Sequence, residues 1–247
     1  VASKTIFDPG RVLPPDWDHY DKHPLKPVLR ELGAAPVPGD AILGLTCPKL
    51  YDQGQTPKCV GFGTATMTSA MEYRNEKQWK AQRYDANAAY AWANANDGIS
   101  EPHDGSTTRA GFEYLRQIGA HVTRGTKVKT GEPVDHKIGE FLWANTLDEL
   151  LQYMWSEQLP GMVGINWYQN MFSPDANGFL RVSGKLAGGH NITVRGFSMP
   201  EEYVIWRNTW GNWGLNGTGD CKVRFADMEK LLSQDGEAGV PVDLIGA

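Results

Sequence analysis

At Pro160 the hydrophobic patterning of the chain changes period, and no other feature limits the fold as much. Upstream, the signals are helical. Phe62, Ala65, Met67, Ala70 and Met71 recur at near-helical spacing between Cys59 and Tyr73, and the small residues Gly61, Gly63 and Ala65 let neighbours approach closely. The alanine-rich stretch 83–96 predicts a second helix. Asp104-Gly105-Ser106-Thr107-Thr108 is a turn with a hydroxyl N-cap, leading a helix from about Arg109 to Ile118 that Gly119 stops. Thr146-Leu147-Asp148-Glu149 is a capping-box pattern that starts another helix reaching about Gln158. Downstream, Gly161–Tyr168, Asn191–Phe197 and Tyr203–Trp206 read as strands separated by turn-rich loops. Such segregation predicts an α+β protein with a helical lobe and a β-sheet or barrel lobe.

A chain of 247 residues suits one large domain or two lobes sharing a cleft. The reading divides it into an extended, proline-rich arm over 1–45 and a single domain over 46–247. That domain is mainly helical over 46–145 and mainly β over 146–247. Prolines at the arm's density, as in Leu13-Pro14-Pro15 and Ala35-Pro36-Val37-Pro38, disfavour regular helix. His19 and His23, with Asp18 and Asp21, could in principle hold a metal; two histidines in an irregular polar loop are better read as solvated, so no metal is expected. The net charge of −5, with no Lys/Arg cluster, argues against a nucleic-acid partner. No apolar run approaches the roughly 20 residues needed to cross a bilayer, so no membrane partner is expected. Val1-Ala2-Ser3-Lys4 is not a secretory signal. The chain therefore reads as soluble as given, with a signal, a pro-segment or a parent polyprotein left open.

Cys59 opens the first helical run. At a helix start its sulfur would meet free N–H groups and the positive end of the macrodipole, which favour the nucleophilic thiolate. His190 follows Gly188-Gly189, two glycines that permit close backbone approach to a substrate, and begins a β-type stretch. Asn208 comes next in order. A cysteine followed about 130–150 residues later by a histidine and an asparagine is what a thiol hydrolase needs: a nucleophile, a general base and acid, and a third group that orients the imidazole. The other two cysteines, Cys47 and Cys221, could be bridged, but are read as small buried hydrophobes.

Two blocks carry a family resemblance. Asp52-Gln53-Gly54-Gln55 with Cys59 looks like the nucleophile block of bacterial papain-like enzymes. Asn208-Thr209-Trp210-Gly211-Asn212-Trp213-Gly214-Leu215-Asn216-Gly217 resembles the asparagine block of papain-like cysteine peptidases. The likeness covers roughly 48–235 and is nearest to the bacterial and phage-type branch. It implies a two-lobe fold with the active site in the cleft, peptide or protein substrates, and no cofactor. It further implies Gln53 as an oxyanion donor beside the Cys59 amide, Trp210 as a shield over the Asn–His pair, and Gly105-Ser106 as the place where substrate backbone is held.

There are departures from the pattern. Thr56 stands where papain-type enzymes have a bridged cysteine, Lys58 and Val60 flank the nucleophile, and Ser106 replaces a glycine. Thr218-Gly219-Asp220 leaves the strand after the asparagine block in doubt. Two alternatives to a peptidase stay open. One is a cysteine acyl-transferase or amidase on a special peptide such as that of a cell wall; the other is a non-catalytic module that keeps the fold. The proline-rich arm raises a further expectation, that residues 1–45 block or shape the cleft.

Overall fold

The computed structural model describes residues 10–15, 24–31, 33–75, 84–123 and 135–242. His19 and His23 lie outside them. Helix α1 spans Leu25–Glu31 and the short strand β1 Ile42–Gly44. Three helices follow: α2 (Cys59–Asn75), α3 (Ala86–Ala95) and α4 (Thr108–Gln117). After a two-residue ribbon of β2 (Ala120–His121) and β3 (Asp135–His136) come β4 (Glu140–Ala144) and α5 (Leu147–Glu157). The remainder is β5 (Gly161–Tyr168), β6 (Leu186–Ser198), β7 (Tyr203–Arg207), β8 (Asp220–Arg224), α6 (Phe225–Leu232) and β9 (Glu237–Val242).

Helix α2 is buried on every side from Cys59 to Met71. Its hydroxyls are reconciled with that setting by local bonds. Thr64, Thr66 and Thr68 donate to the carbonyls of Val60, Phe62 and Thr64 at 2.8–2.9 Å, so no polar group is buried unpaired there. A Cβ on Gly61 would collide with α3, and one on Gly63 with Asn191 of β6. The small residues thus bring the helix start hard against both its neighbours. Helix α4 is capped by Thr107, whose Oγ1 accepts the Ala110 N–H at 3.1 Å. Helix α5 is capped by Thr146 in the same way at 3.2 Å, while Glu149 reaches back to the amide of Asn145 at 2.8 Å.

The main sheet has seven strands among the described residues. They run β4-β9-β5-β6-β7-β8 with antiparallel neighbours, and β1 pairs with β6. Trp143, Trp167 and Trp206 are fully buried in its core. The strand predicted over 191–197 extends to Leu186–Ser198, and β8 forms at Asp220 in spite of the departure there.

The arm differs from the extended reading. Pro27 falls in the first turn of α1, where its missing N–H has no intrahelical partner to lose, so the helix forms and buries Leu25 and Leu29. Ile42 to Gly44 pair with Ser198 to Gly196, and Gln152 of α5 donates to the Ala34 carbonyl at 2.7 Å. These contacts stitch the arm to the body. Cys47 and Cys221 are free buried thiols, so the bridge does not form.

Candidate active site

Cys59 is the first residue of α2, with the Lys58 carbonyl accepting the Phe62 N–H at 3.1 Å. Burial of the thiol is complete and pushes it up to about 11, against the pull of the Asn191, Gly10 and Val60 amides and the charge of Arg11. The Asn191 amide at the sulfur sets the thiol beside the residue that follows His190. Lys58 turns aside to Asn87, at 3.0 Å.

His190 lies in β6 opposite Ile165. Its Nε2 is 2.9 Å from Oδ1 of Asn208, and the same oxygen accepts the Thr209 amide at 2.8 Å. A backbone N–H can only donate, so the atom between them is the amide oxygen, and the imidazole must carry its proton on Nε2. Nδ1 is then the basic atom. It is buried and has no hydrogen-bond partner among the described residues. Burial lowers the imidazole to about 4, opposed by the bond to Asn208. Trp167 and Trp210 each sit with ring centroids 4.8 Å from the imidazole, and Phe172 stacks on Trp210 at 5.6 Å and 11°.

Gln53 is tied to the asparagine block. Its amide N–H donates to the Thr209 carbonyl at 2.8 Å, its Oε1 accepts the Thr209 hydroxyl at 2.6 Å, and its Nε2 donates to the Thr56 carbonyl at 2.8 Å. One residue on, Trp210 pairs with Asp52. Cys59, His190, Asn208, Gln53 and Trp210, which the sequence singles out from three separate stretches, are therefore brought together.

Gly105, Ser106 and Gly189 meet on the arm. The Arg11 amide donates to the Gly189 carbonyl at 2.8 Å; the Ser106 amide donates to the Gly10 carbonyl, and the Val12 amide to the Ser106 carbonyl, both at 2.9 Å. A Cβ on Gly10 would strike the Pro57 carbonyl, two residues before Cys59. Gly10–Val12 thus run through the slot between Ser106 and Gly189, over Cys59. Ser106 is fixed from behind by its hydroxyl bond to the buried Asp97 at 3.0 Å, which His103 also meets at 3.0 Å.

Trp167, Phe172 and Arg11 were not singled out from the sequence. Trp167 sits on a segment legible as a strand, but only the sheet register shows which face meets His190. Arg11 has no local signal at all.

No family profile and no curated protein matches the sequence. Solved structures do. Xylellain, a cysteine protease from Xylella fastidiosa, is similar over 99% of each chain with a TM-score of 0.71 and 19% identity. The Amb a 11 cysteine protease, a ragweed pollen allergen solved in its proform, covers 90% of this chain and 70% of its own with a TM-score of 0.62 at 14% identity. The Carica candamarcensis cysteine protease CMS1MS2, solved with E-64, covers 87% and 96% with a TM-score of 0.59 at 14% identity. At these identities the likeness concerns the backbone, and the chain has the two-lobe fold of papain-like cysteine proteases.

Proposed function

We propose that the chain is a thiol peptidase in which Cys59 attacks a peptide carbonyl and forms a thioester. The observation that carries this reading is the imidazole of His190, held by Asn208 through Nε2 with Nδ1 bare, next to the residue whose amide meets the Cys59 sulfur. Nδ1 takes the thiol proton, the sulfur bonds to the carbonyl carbon, and the developing oxyanion is met by the Gln53 side-chain N–H and the Cys59 amide. Collapse breaks the C–N bond as the imidazolium returns its proton to the leaving amine. Water, deprotonated by the same nitrogen, then hydrolyses the thioester. Trp210, Trp167 and Phe172 keep water from the Asn–His bond, and the Ser106 and Gly189 backbone groups hold the substrate chain.

In the folded chain that slot holds Gly10–Val12. Gly10 offers its N–H to the sulfur while Ser106 holds its carbonyl oxygen, so the arm covers the thiol. The enzyme is latent until the arm leaves.

Cys59→Ala should leave the fold intact and remove every cysteine-dependent cleavage of a proteome-derived peptide mixture, read as new termini by mass spectrometry under reducing conditions. Undiminished cleavage by the Cys59→Ala chain would rule the reading out. Asn208→Ala should lower kcat on the order of 10²-fold with a smaller change in KM, because the imidazole loses the acceptor that fixes its tautomer. A wild-type rate constant in that variant would leave Asn208 a purely structural residue. A second reading, a module that keeps the fold without turnover, draws on the filled slot and on a thiol and imidazole that are both neutral as folded. Cysteine-dependent termini after arm release would dispose of it.

A further inference from the structure

Behind Ser106 lies a buried carboxylate that the chemistry at Cys59 does not use. Asp97 stands two residues past the end of α3, and its side chain is fully buried. Its Oδ1 accepts the Ile99 amide at 3.1 Å. Its Oδ2 accepts the Ser106 hydroxyl and faces Nε2 of His103, both at 3.0 Å. Nδ1 of the same imidazole lies 2.9 Å from the Glu101 carbonyl. Carbonyl and carboxylate oxygens only accept, so both ring nitrogens must carry protons for both contacts to be hydrogen bonds. His103 is therefore built into this loop as an imidazolium, paired with a carboxylate whose burial calls for a cation.

Ser106 links this pair to the cleft. It stands where the papain pattern has glycine, and the hydroxyl that glycine would lack is the one that reaches Asp97. Its backbone amide and carbonyl hold the main chain of Gly10 and Val12. The Gly105 amide donates to the Tyr90 hydroxyl at 3.2 Å, and Asn94 donates to the carbonyls of Gly105 at 2.6 Å and His103 at 3.1 Å. The loop thus ends in backbone groups set to grip an extended chain, with Asp97 and His103 as their brace.

The titratable groups around the imidazole come from its own loop and from both adjoining helices. The Glu101 carbonyl raises the imidazole most, partial burial opposes it, and the carboxylates of Asp97 and Asp104 add to the rise. Tyr90 of α3 meets the loop at Gly105, and Arg109 and Glu113 of α4 line the hollow that Asp97 borders. With the folded pKa raised, the brace is complete below the ordinary value of about 6.5 and is lost as the pH rises through the folded one. A neutral imidazole has one N–H for two acceptors, so one contact must then open.

We propose that Asp97 and His103 are positioning residues that set the Ser106 backbone for the substrate chain, and that this hold loosens when His103 loses a proton. Its functional meaning rests on the peptidase reading, but the coupling can be read without turnover, because Ser106 already grips the main chain of Gly10–Val12. In the isotope-labelled, full-length chain, imidazole NMR shifts would follow His103. Hydrogen exchange, corrected for the intrinsic rate, would follow the Ser106 amide. His103 should titrate above its ordinary value. Protection at Ser106 should fall about fivefold with the same midpoint, the scale of one partly screened ion pair. His190, lowered to about 4, is already neutral in that range. His103→Gln should make the protection independent of pH. Ser106→Ala should leave the His103 titration in place and uncouple the amide of position 106 from it. Protection that ignores the His103 midpoint, or follows it equally in Ser106→Ala, overturns the proposal. Should His103→Gln fail to fold, the wild-type midpoints and Ser106→Ala still decide.

Turnover is read in a chain whose arm is displaced by Gly10→Leu. Its KM for a peptide should rise about fivefold across the His103 midpoint, with kcat changing far less, and adding His103→Gln should flatten that rise. Coupled exchange without any turnover would uphold the brace and sink the peptidase reading. Turnover with a KM that is flat through the His103 titration would uphold the peptidase and overturn the proposal.

Discussion

A full-length chain carrying Gly10→Leu should react with iodoacetamide at Cys59 at least about a hundredfold faster than wild type near pH 7. Any Cβ at position 10 meets the Pro57 carbonyl, so the substituted arm cannot keep its place over the sulfur. Covered, the thiol is held up to about 11, chiefly by burial; only about one molecule in 10⁴ is then thiolate at pH 7. Uncovered and hydrated, a cysteine of ordinary acidity is a few per cent thiolate, and the start of α2 lowers its pKa further. Thiolate fraction alone therefore supplies a factor on the order of 10² to 10³, before any gain in access. The pH profile carries the sign. Wild-type labelling should climb about tenfold per unit through neutral pH, because the raised pKa lies far above. The variant should level off at a lower pH, where its thiol is already ionised. Cys47, held up to about 11, and Cys221, held well above its ordinary value, are both buried, so site-resolved mass spectrometry must assign the label to Cys59. Equal rates in the two chains would mean that Gly10–Val12 do not control the thiol.

The proposed catalytic set was legible because its signals are local. A cysteine at a helix start, Gly-Gly-His before a strand, and Asn-Thr-Trp-Gly each state their chemistry within a few residues. The folded chain brings them together by packing α2 against β6 and pairing Asp52 with Trp210. The α+β segregation was legible for the same reason, since caps at Thr107 and Thr146 and the change of period after Pro160 are short-range. What stayed hidden is long-range. Arg11 and Glu237 are joined only through the fold, and neither position looks unusual in its own neighbourhood. Helix α1 escaped notice because proline density was weighed over the whole arm, whereas the position of Pro27 within the first turn decides whether a helix can form. Trp167 is an ordinary strand tryptophan until the register of β5 on β6 sets it against His190.

Asp220→Ala should destabilise the chain by about 3–5 kcal/mol, because it leaves two mostly buried guanidiniums facing each other without their carboxylate. Arg195 donates Nε to Oδ1 at 2.9 Å and Nη2 to Oδ2 at 2.7 Å; Arg207 does the same at 2.6 and 3.2 Å. The three side chains are 11–19% exposed, so solvent screens the group only in part. Both arginines reach on to the segment before the active site, Arg195 to the Leu45 carbonyl and Arg207 to that of Cys47. Arg207 also directly precedes Asn208, whose amide donates to the Gly219 carbonyl at 2.8 Å. The cluster therefore fixes the strand end that carries the imidazole's partner. Burial works to raise the Asp220 carboxyl, but the hydrogen bonds and charges of the two arginines overcome it and hold it below its usual value. With the folded pKa depressed, this contribution to stability is present above the unfolded value of about 4 and is lost as the pH falls through the folded one. The wild type should lose this increment in acid, while the Asp220→Ala chain should show a flatter acid limb. For a chain of this length the neutral-pH difference corresponds to a fall in Tm on the order of 10 °C. Asp220→Asn, which keeps the shape and loses the charge, should fall between the two. A Tm for Asp220→Ala within a degree or two of wild type would mean that solvent already satisfies both arginines, and the position of Asn208 would then rest on its Gly219 bond and the packing of Trp210.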